Sequence, residues 1–436
     1  MYLLEPNAEL NLDYLGKCLI SFQTKDLPIL NRYKKYWDGK QRILQKVQQE
    51  GKPCNRTVIN YCKEIVDNYK GYICGVPVTY DGENLDELID ILRYNDVDSE
   101  DSDLLEDALV YGVAYEICYI DENSKQRFRS FDPRQCVPIY DNTLENDLLY
   151  LVRFYREDLL DKSNENYIVE VYSRDSIKYY RSSMGFVSFE LINEEPHYYG
   201  QVPITVFKLN REQKSIFDQI MSLQDAYNNL MSDAQDTEDA FADCYMVLKG
   251  VTADEEELSK MKTNKILMMD TDASAEYLTK DINNQQFSSL QDIYDDQIYR
   301  KAGCPNFTDE KFFASSGIAL RFRLLQFENK ASGIVNQMTK ALQRRLELLC
   351  GVLNLTGSEY IWRDVDIRFT RNIPDQLVPS TAQEVITYKG TVSEHTLLGL
   401  LPFVENVDEE EKLLEEERQA GMELFRSNLT EEDEDE

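Results

Sequence analysis

The sequence predicts an α+β protein in which sheet and helix occupy separate stretches of the chain. Three observations predict it. Alternation of apolar and polar residues at period two is concentrated between Val113 and Leu209. Apolar residues at steps of three and four dominate from Ser215 onward. Two of those helical stretches bracket a short tip of mixed character, residues 243–284. With 436 residues the chain is too long for one compact core, so two or more sub-domains are expected.

Taken in order, residues 1–30 show weak periodicity and read as an N-terminal arm with a short helix. Met1-Tyr2-Leu3-Leu4-Glu5-Pro6 lacks a basic region and a long apolar run, so no signal peptide is expected. Arg32 to Gln49 reads as a helix. Its stretch Arg32-Tyr33-Lys34-Lys35-Tyr36-Trp37 is basic and aromatic in an acidic chain, which fits a nucleic-acid patch or a helix docked on acidic neighbours. Asn55 stands where it can cap a helix from Thr57 to Tyr72, with Val58, Ile59, Cys62, Ile65, Val66 and Tyr69 on one stripe. Gly75-Val76-Pro77 stops that helix ahead of a strand at Val78 to Tyr80. Acidic residues alternate from Asp96 like a calcium loop, but Asp101 stands where such a loop needs Gly, and Asp107 where it needs Glu. They suit better the start of a helix from Asp103 to Val110, where the dipole favours acids.

After Gly112 the period changes to two. Val113 to Ile120, a turn at Asp121 to Lys125, and Gln126 to Phe131 read as a hairpin. Leu149–Arg156, Tyr167–Ser173, Ser176–Arg181, Gly185–Leu191 and Ile204–Leu209 extend it as an antiparallel meander. From Ser215 to about Ala242, Ile216, Ile220, Leu223, Ala226, Tyr227, Leu230 and Ala234 mark one face of a long helix. The tip then reads as strand Tyr245–Leu248, helix Asp254–Lys262, strand Lys265–Met269 and strand Ala275–Leu278, and Gln285–Ala302 returns to helix.

The longest amphipathic pattern follows a loop, Phe312-Phe313-Ala314-Ser315-Ser316-Gly317, whose small residues permit unusual backbone angles. Leu324, Phe327, Ala331, Ile334, Val335, Met338, Leu342, Leu346 and Leu349 form its stripe. Ala319 to Cys350 would span roughly 48 Å at 1.5 Å per residue. Gly351 stands at the expected C-cap, with Arg344 and Arg345 near the negative end of the dipole. Either this is an ordinary core helix or a strut that holds the loop in place. Ile361–Phe369 reads as a strand rejoining the earlier sheet, Pro374–Pro379 as a linker, Thr381–Tyr388 and Glu394–Leu400 as short helices, and Asp408–Leu424 as a charged one.

Composition excludes several functions. No apolar run approaches the roughly 20 residues needed to span a bilayer. The nine cysteines are scattered without a Cys-x-x-Cys pair, which fits reduced thiols better than a disulfide frame or a zinc site. A formal charge of −33 argues against gripping nucleic acid over a broad basic face. It does not oppose a surface past which DNA slides without sticking. The acidic end, Glu431–Glu436, reads as a solvated tail. Only His197 and His395 are available for nucleophilic catalysis, and neither a Gly-x-Ser-x-Gly elbow, a phosphate loop nor a dinucleotide fingerprint occurs. No enzyme, cofactor or metal site is expected. A metal-dependent DNA-processing enzyme using clustered carboxylates is the rival reading, and a ring or adaptor that never touches DNA is a third.

Several stretches in order carry a resemblance. They are Tyr36-Trp37-Asp38-Gly39-Lys40, Ile65-Val66-Asp67, Gly71 through Val78, Tyr111-Gly112-Val113-Ala114-Tyr115-Glu116, Phe131-Asp132-Pro133, Pro138-Ile139-Tyr140-Asp141, and Tyr199-Gly200-Gln201-Val202-Pro203-Ile204. Ser222 through Asn228 with Ser232-Asp233, Phe241 through Gly250, and Ser315-Ser316-Gly317-Ile318-Ala319-Leu320 continue the series. The chain resembles the portal proteins of long-tailed, double-stranded DNA bacteriophages. The resemblance implies a portal fold with a mixed α/β wing and N-terminal arm (1–210), stem helix one (211–242), a small clip (243–284) and stem helix two (285–303). A tunnel-loop region (304–319), a long wing helix (320–352), a wing strand and linker (353–378) and a helical crown with its acidic tail (379–436) complete it. It further implies a homo-oligomeric ring, dodecameric, at one capsid vertex of the virion, assembled in the host cytoplasm. Its partners would be double-stranded DNA, the terminase large subunit, a head-tail adaptor, and the major capsid and scaffolding proteins, with no membrane. Lys311, Ser315, Ser316, Gly317, Arg321 and Arg323 are the candidate DNA-channel residues. The two arginines equally suit pairing with acids between subunits. Asp254, Glu255, Glu256, Glu257, Lys260 and Lys262 are the candidate clip residues facing motor or adaptor, although acids at a helix start need no partner. The loop departs from the family's frequent Gly-Asn, holding Phe313 and Ala314 there instead.

Overall fold

A computed structural model describes residues 2–6, 8–50, 52–158, 166–183, 185–242, 245–249, 274–278, 284–307, 317–372 and pieces of 393–418, with backbone alone for 240–242, 245–249, 274–278, 284 and 317–323. The architecture is α+β, as the two periodicities predict.

The chain opens with β1 (Tyr2–Leu4), then α1 (Leu12–Ser21) and α2 (Leu27–Trp37), which run on through a π-turn at Phe22–Asp26. The wider turn relieves the clash that Pro28 would otherwise make with the preceding turn. Helix does not continue to Gln49 as the sequence suggested. Gly39, at φ +75°, breaks it, and only a 3-10 turn at Arg42–Gln45 follows. Helix α3 (Tyr61–Cys74) likewise starts four residues after the expected Thr57, because Asn60, not Asn55, caps it by accepting from the Lys63 N–H.

Strand β2 (Thr79–Asp81), α4 (Asp86–Tyr94) and α5 (Val97–Tyr111) come next. The acidic run therefore begins at the N-cap, Asp96, and continues through α5, which starts earlier than Asp103. The hairpin β3 (Val113–Ile120) and β4 (Gln126–Phe131) has the predicted bounds. The meander follows as β5 (Cys136–Asp141), β6 (Leu148–Arg156), β7 (Tyr167–Tyr172), β8 (Ser176–Ser182) and β9 (Phe189–Pro196). Parallel pairing of β1 with β5 completes a six-stranded sheet in the order β1-β5-β6-β7-β8-β9. Strand β10 (Ile204–Lys208) does not extend this meander. It pairs with β3 and makes a three-stranded sheet, β10-β3-β4.

The helical half contains α6 (Met221–Ala242), the ribbon of β11 (Tyr245–Lys249) and β12 (Ser274–Leu278), α7 (Asn284–Ala302) and α8 (Gly317–Leu355). Helix α8 has 39 residues, roughly 58 Å at 1.5 Å each. It runs through Gly351, so that glycine is not its cap. The helix ends before Gly357, at φ +107°. Strand β13 (Asp366–Arg368) pairs with β2 instead of rejoining the meander, α9 (Glu394–Leu398) follows, and residues 410–415, within the expected charged helix at Asp408–Leu424, are helical. The expected helix at Asp254–Lys262, strand at Lys265–Met269, linker at Pro374–Pro379 and helix at Thr381–Tyr388 lie outside the described residues.

Strand β3 explains how the layers join, because both its faces are buried. Val113, Tyr115 and Ile117 face Cys136, Leu151 and Tyr172 of the six-stranded sheet in one cluster. Ala114 and Cys118 belong to the main core, with α3, α5 and the α8 stripe of Phe327, Ala331, Ile334, Met338, Leu342, Leu346 and Leu349. Among the described residues all eight cysteines are free thiols, and no helix is long and apolar enough to cross a membrane.

Candidate functional site: the paired helices and the long helix behind them

Helices α6 and α7 pack on each other and are held to the body by polar bonds rather than apolar surface alone. An extended segment, 55–61, lies along α6 and gives every second backbone N–H to it. The N–H groups of Asn55, Thr57, Ile59 and Tyr61 donate to Asp236 (2.6 Å), Ser232 (3.0 Å), Asn228 (3.1 Å) and Gln224 (3.0 Å). The match is metric. Two extended residues advance about 6.6 Å and four helical residues about 6.0 Å, so an acceptor at every fourth helix position meets every second donor. Gln224, Asn228 and Ser232 are fully buried. Around this strap, Lys46 bonds Asp233 and Asp236 at 2.9 and 2.6 Å, and Asn55 reaches Asp239 at 2.7 Å. Lys46 and the Asn55 N–H hold the Asp236 carboxyl below its ordinary range.

Sequence reasoning missed this strap. Its signal is there: Gln, Asn, Ser and Asp recur at steps of four beside the apolar stripe of α6. Asn228 also bonds Gln41 and Gln224. Asn228→Ala is expected to cost about 1–3 kcal/mol, since it strands buried donors, while the exposed Asp233→Ala costs under about 1 kcal/mol. Urea denaturation of both variants checks the ratio.

The basic aromatic helix α2 docks on acids of the same region. Tyr33 donates to Asp218 and Tyr36 to Asp225, each at 2.8 Å, and Lys34 pairs with Asp38 at 3.0 Å. Of the two readings of that stretch, the docked helix is the one these bonds support.

Helix α7 is tied to α3 and α8. Tyr61 donates to Asp295 at 2.6 Å and Tyr299 to Glu64 at 2.5 Å. At its C-terminal end Tyr69 reaches the Ala302 and Gly303 carbonyls, both at 3.1 Å, and Lys330 of α8 donates to Ala302 at 2.8 Å. Burial pushes the Lys330 ammonium down to about 8. Glu328, although half-buried, is held below the usual carboxylate range because hydrogen bonds from Arg371, Tyr72 and Ser332 outweigh that burial.

Further along α8, Arg345 is not a dipole partner at a helix end. It is completely buried, with bonds to Glu116 of β3 (2.6 and 2.9 Å) and Asp101 of α5 (2.5 Å), over the Phe128 ring at 4.3 Å. Tyr80 of β2 donates to the same Asp101 at 2.6 Å. One guanidinium thus joins five elements. Burial pushes the Glu116 carboxyl up, and Arg345 opposes that.

Of the predicted channel residues, Gly317 opens α8, and Arg321 and Arg323 fall on its first two turns, with their side chains outside the described residues. Lys311, Ser315 and Ser316 lie outside them too, as do Asp254, Glu255, Glu256, Glu257, Lys260 and Lys262.

What this geometry fixes is the direction and spacing of long helices, a mechanical task. The comparisons agree. Residues 17–423 match the family model described as phage portal protein, SPP1 Gp6-like. The chain is 23% identical over 410 residues to the portal protein of Bacillus phage SPP1, covering 89% of this chain and 81% of that protein. It is 24% identical over 390 residues to the portal protein of Clostridium phage phiCD119, covering 84% and 85%. The chain belongs to this family of phage portal proteins, structural and non-enzymatic, whose general function is to form a channel for genome packaging.

Proposed function

We propose that this chain assembles as a dodecameric ring at one capsid vertex and conducts double-stranded DNA during packaging and ejection. The family match across residues 17–423 carries this reading. In it, α6 and α7 are the stem, the ribbon between them the clip that docks the terminase large subunit and later the head-tail adaptor, and residues up to 210 the arm and wing. Residues 304–319 form the tunnel-loop region, backed by α8, and 379–436 the crown and acidic tail. Major capsid and scaffolding proteins contact the ring from outside. The charge of −33 supports the role, because a wall rich in Lys and Arg would hold each phosphate through counterion release and stall the duplex. Lys311, Ser315, Ser316, Arg321 and Arg323 are the donors proposed to touch it near the loop, and the 254–262 segment the surface proposed to meet the motor.

Shortening Phe312–Gly317 tests the reading. Rings of normal size are expected, with packaged DNA per particle reduced to background. Normal packaging would remove the loop from translocation. A monomeric chain that cleaves DNA with magnesium would replace the conduit by a nuclease.

A further inference from the structure

Among the described residues, two cations of α7 have no carboxylate partner. Arg300 and Lys301 line a polar recess of about 490 Å³ together with Gln219, Gln297 and Gln326. Three elements meet there: the 3-10 turn Asp218–Ile220 ahead of α6, the last turns of α7, and an early turn of α8. The nearby acids are committed elsewhere: Asp218 to Tyr33, Asp295 to Tyr61, Glu64 to Tyr299, and Glu328 to Tyr72 and Arg371. Asp296, one turn before Arg300, accepts from Gln297 at 3.3 Å.

Cations in a last helical turn ordinarily serve the orphan carbonyls and the dipole. Here that place is taken from outside the helix, by Tyr69 and Lys330 on the Ala302 and Gly303 carbonyls. Arg300 and Lys301 are left exposed and available.

We propose that this recess is an anion site for the phosphodiester backbone of duplex DNA. A guanidinium offers paired N–H donors to phosphate oxygens, an ammonium adds a point charge, and three primary amides donate without adding charge. No lining residue is aromatic, so the site has no platform for stacked bases. The contact is electrostatic and therefore salt-sensitive. The assignment rests on the conduit reading, and it puts DNA contact beside the tunnel-loop region, at the joint between the stem and α8.

The test uses full-length rings of the unaltered chain, of Arg300→Gln/Lys301→Gln, and of the charge-keeping Arg300→Lys/Lys301→Arg. A short fluorescent duplex of mixed sequence is titrated between about 50 and 200 mM NaCl. The Gln pair is expected to form rings of normal size and to bind more weakly. Its slope of log K against log salt should be shallower by about 0.9 for each phosphate it no longer neutralises. The charge-keeping pair should bind as the unaltered ring does. Equal affinity and slope for the Gln pair would overturn the proposal, as would an unaltered ring that ignores the duplex. Loss of ring assembly in the Gln pair alone would also overturn it, assigning the two cations to carboxylates of a neighbouring copy. If the unaltered chain makes no ring, the conduit reading itself falls, and sizing the particles before adding DNA separates the two failures.

Discussion

Arg345→Ala is expected to cost about 3–5 kcal/mol, the loss seen when one partner of a buried ion pair is removed. The substitution leaves Asp101 and Glu116 facing each other in the core, 2% and 0% exposed at the side chain, without their cation. It also removes the contact with Phe128 and the N–H that Arg345 donates to the Tyr80 hydroxyl at 3.3 Å. Arg344→Ala, on the same turn, breaks bonds to Gln201, the Val202 carbonyl and Glu347 at a half-buried site, and should cost under about 1 kcal/mol. Lysine is a poor substitute for Arg345, because a point charge cannot reproduce two N–H bonds to Glu116 and one to Asp101 at once. The informative rescue is Arg345→Met with Asp101→Asn and Glu116→Gln. Removing all three charges together should restore much of what the single change loses, as an apolar core tolerates a missing ion triad better than a broken one. Urea midpoints and ring yield measure both. If Arg345→Ala and Arg344→Ala unfold alike, the ionic hub is not what joins α8 to the sheets.

How much of this was legible in the sequence depends on how locally each feature is encoded. The β3–β4 hairpin and α7 were readable because alternation, turn residues and helical stripes lie within a few residues of one another. Strand β5 was not, since Pro138 argues against a strand and the segment is almost wholly buried. Helix α4 has no long apolar run to announce it, and β1 is three residues long. Arg345 could not be recognised as a core residue, since its partners lie 229 and 244 positions away. Its place in the stripe, three after Leu342 and four after Ala341, was the available hint. The mechanical role became readable only through the ordered fragments shared with phage portals. The fourfold spacing of acceptors on α6 carries no local signal of its partner, because segment 55–61 lies 163 to 181 positions away in sequence.

Gly112→Ala should be the most damaging glycine replacement in the wing, for a reason that also concerns the stem. Gly112 caps α5 at φ +82°, and its N–H bonds the Ala108 carbonyl at 2.8 Å. A left-handed alanine alone costs about 1–2 kcal/mol. Here the added Cβ would also stand 2.4 Å from the carbonyl carbon and oxygen of Gln213 and 2.6 Å from the carbonyl carbon of Lys214, all backbone. That backbone cannot swing aside cheaply. It is pinned by the Leu209 N–H on the Gly112 carbonyl (3.1 Å), the Ile216 N–H on the Leu109 carbonyl (3.0 Å) and the Ser215 hydroxyl on the same carbonyl (3.1 Å). The pinned segment, 209–216, is the one that delivers the chain to α6, so any shift there redirects the helix it launches. Strain and clash together should exceed about 3 kcal/mol and reduce ring yield. Gly200→Ala is the control, at φ +63° with nothing within 4 Å of its Cβ, and should show the left-handed cost alone. Thermal unfolding and particle sizing of the two variants decide the matter: equal losses would mean that the close approach at Gly112 does not govern how the stem leaves the wing.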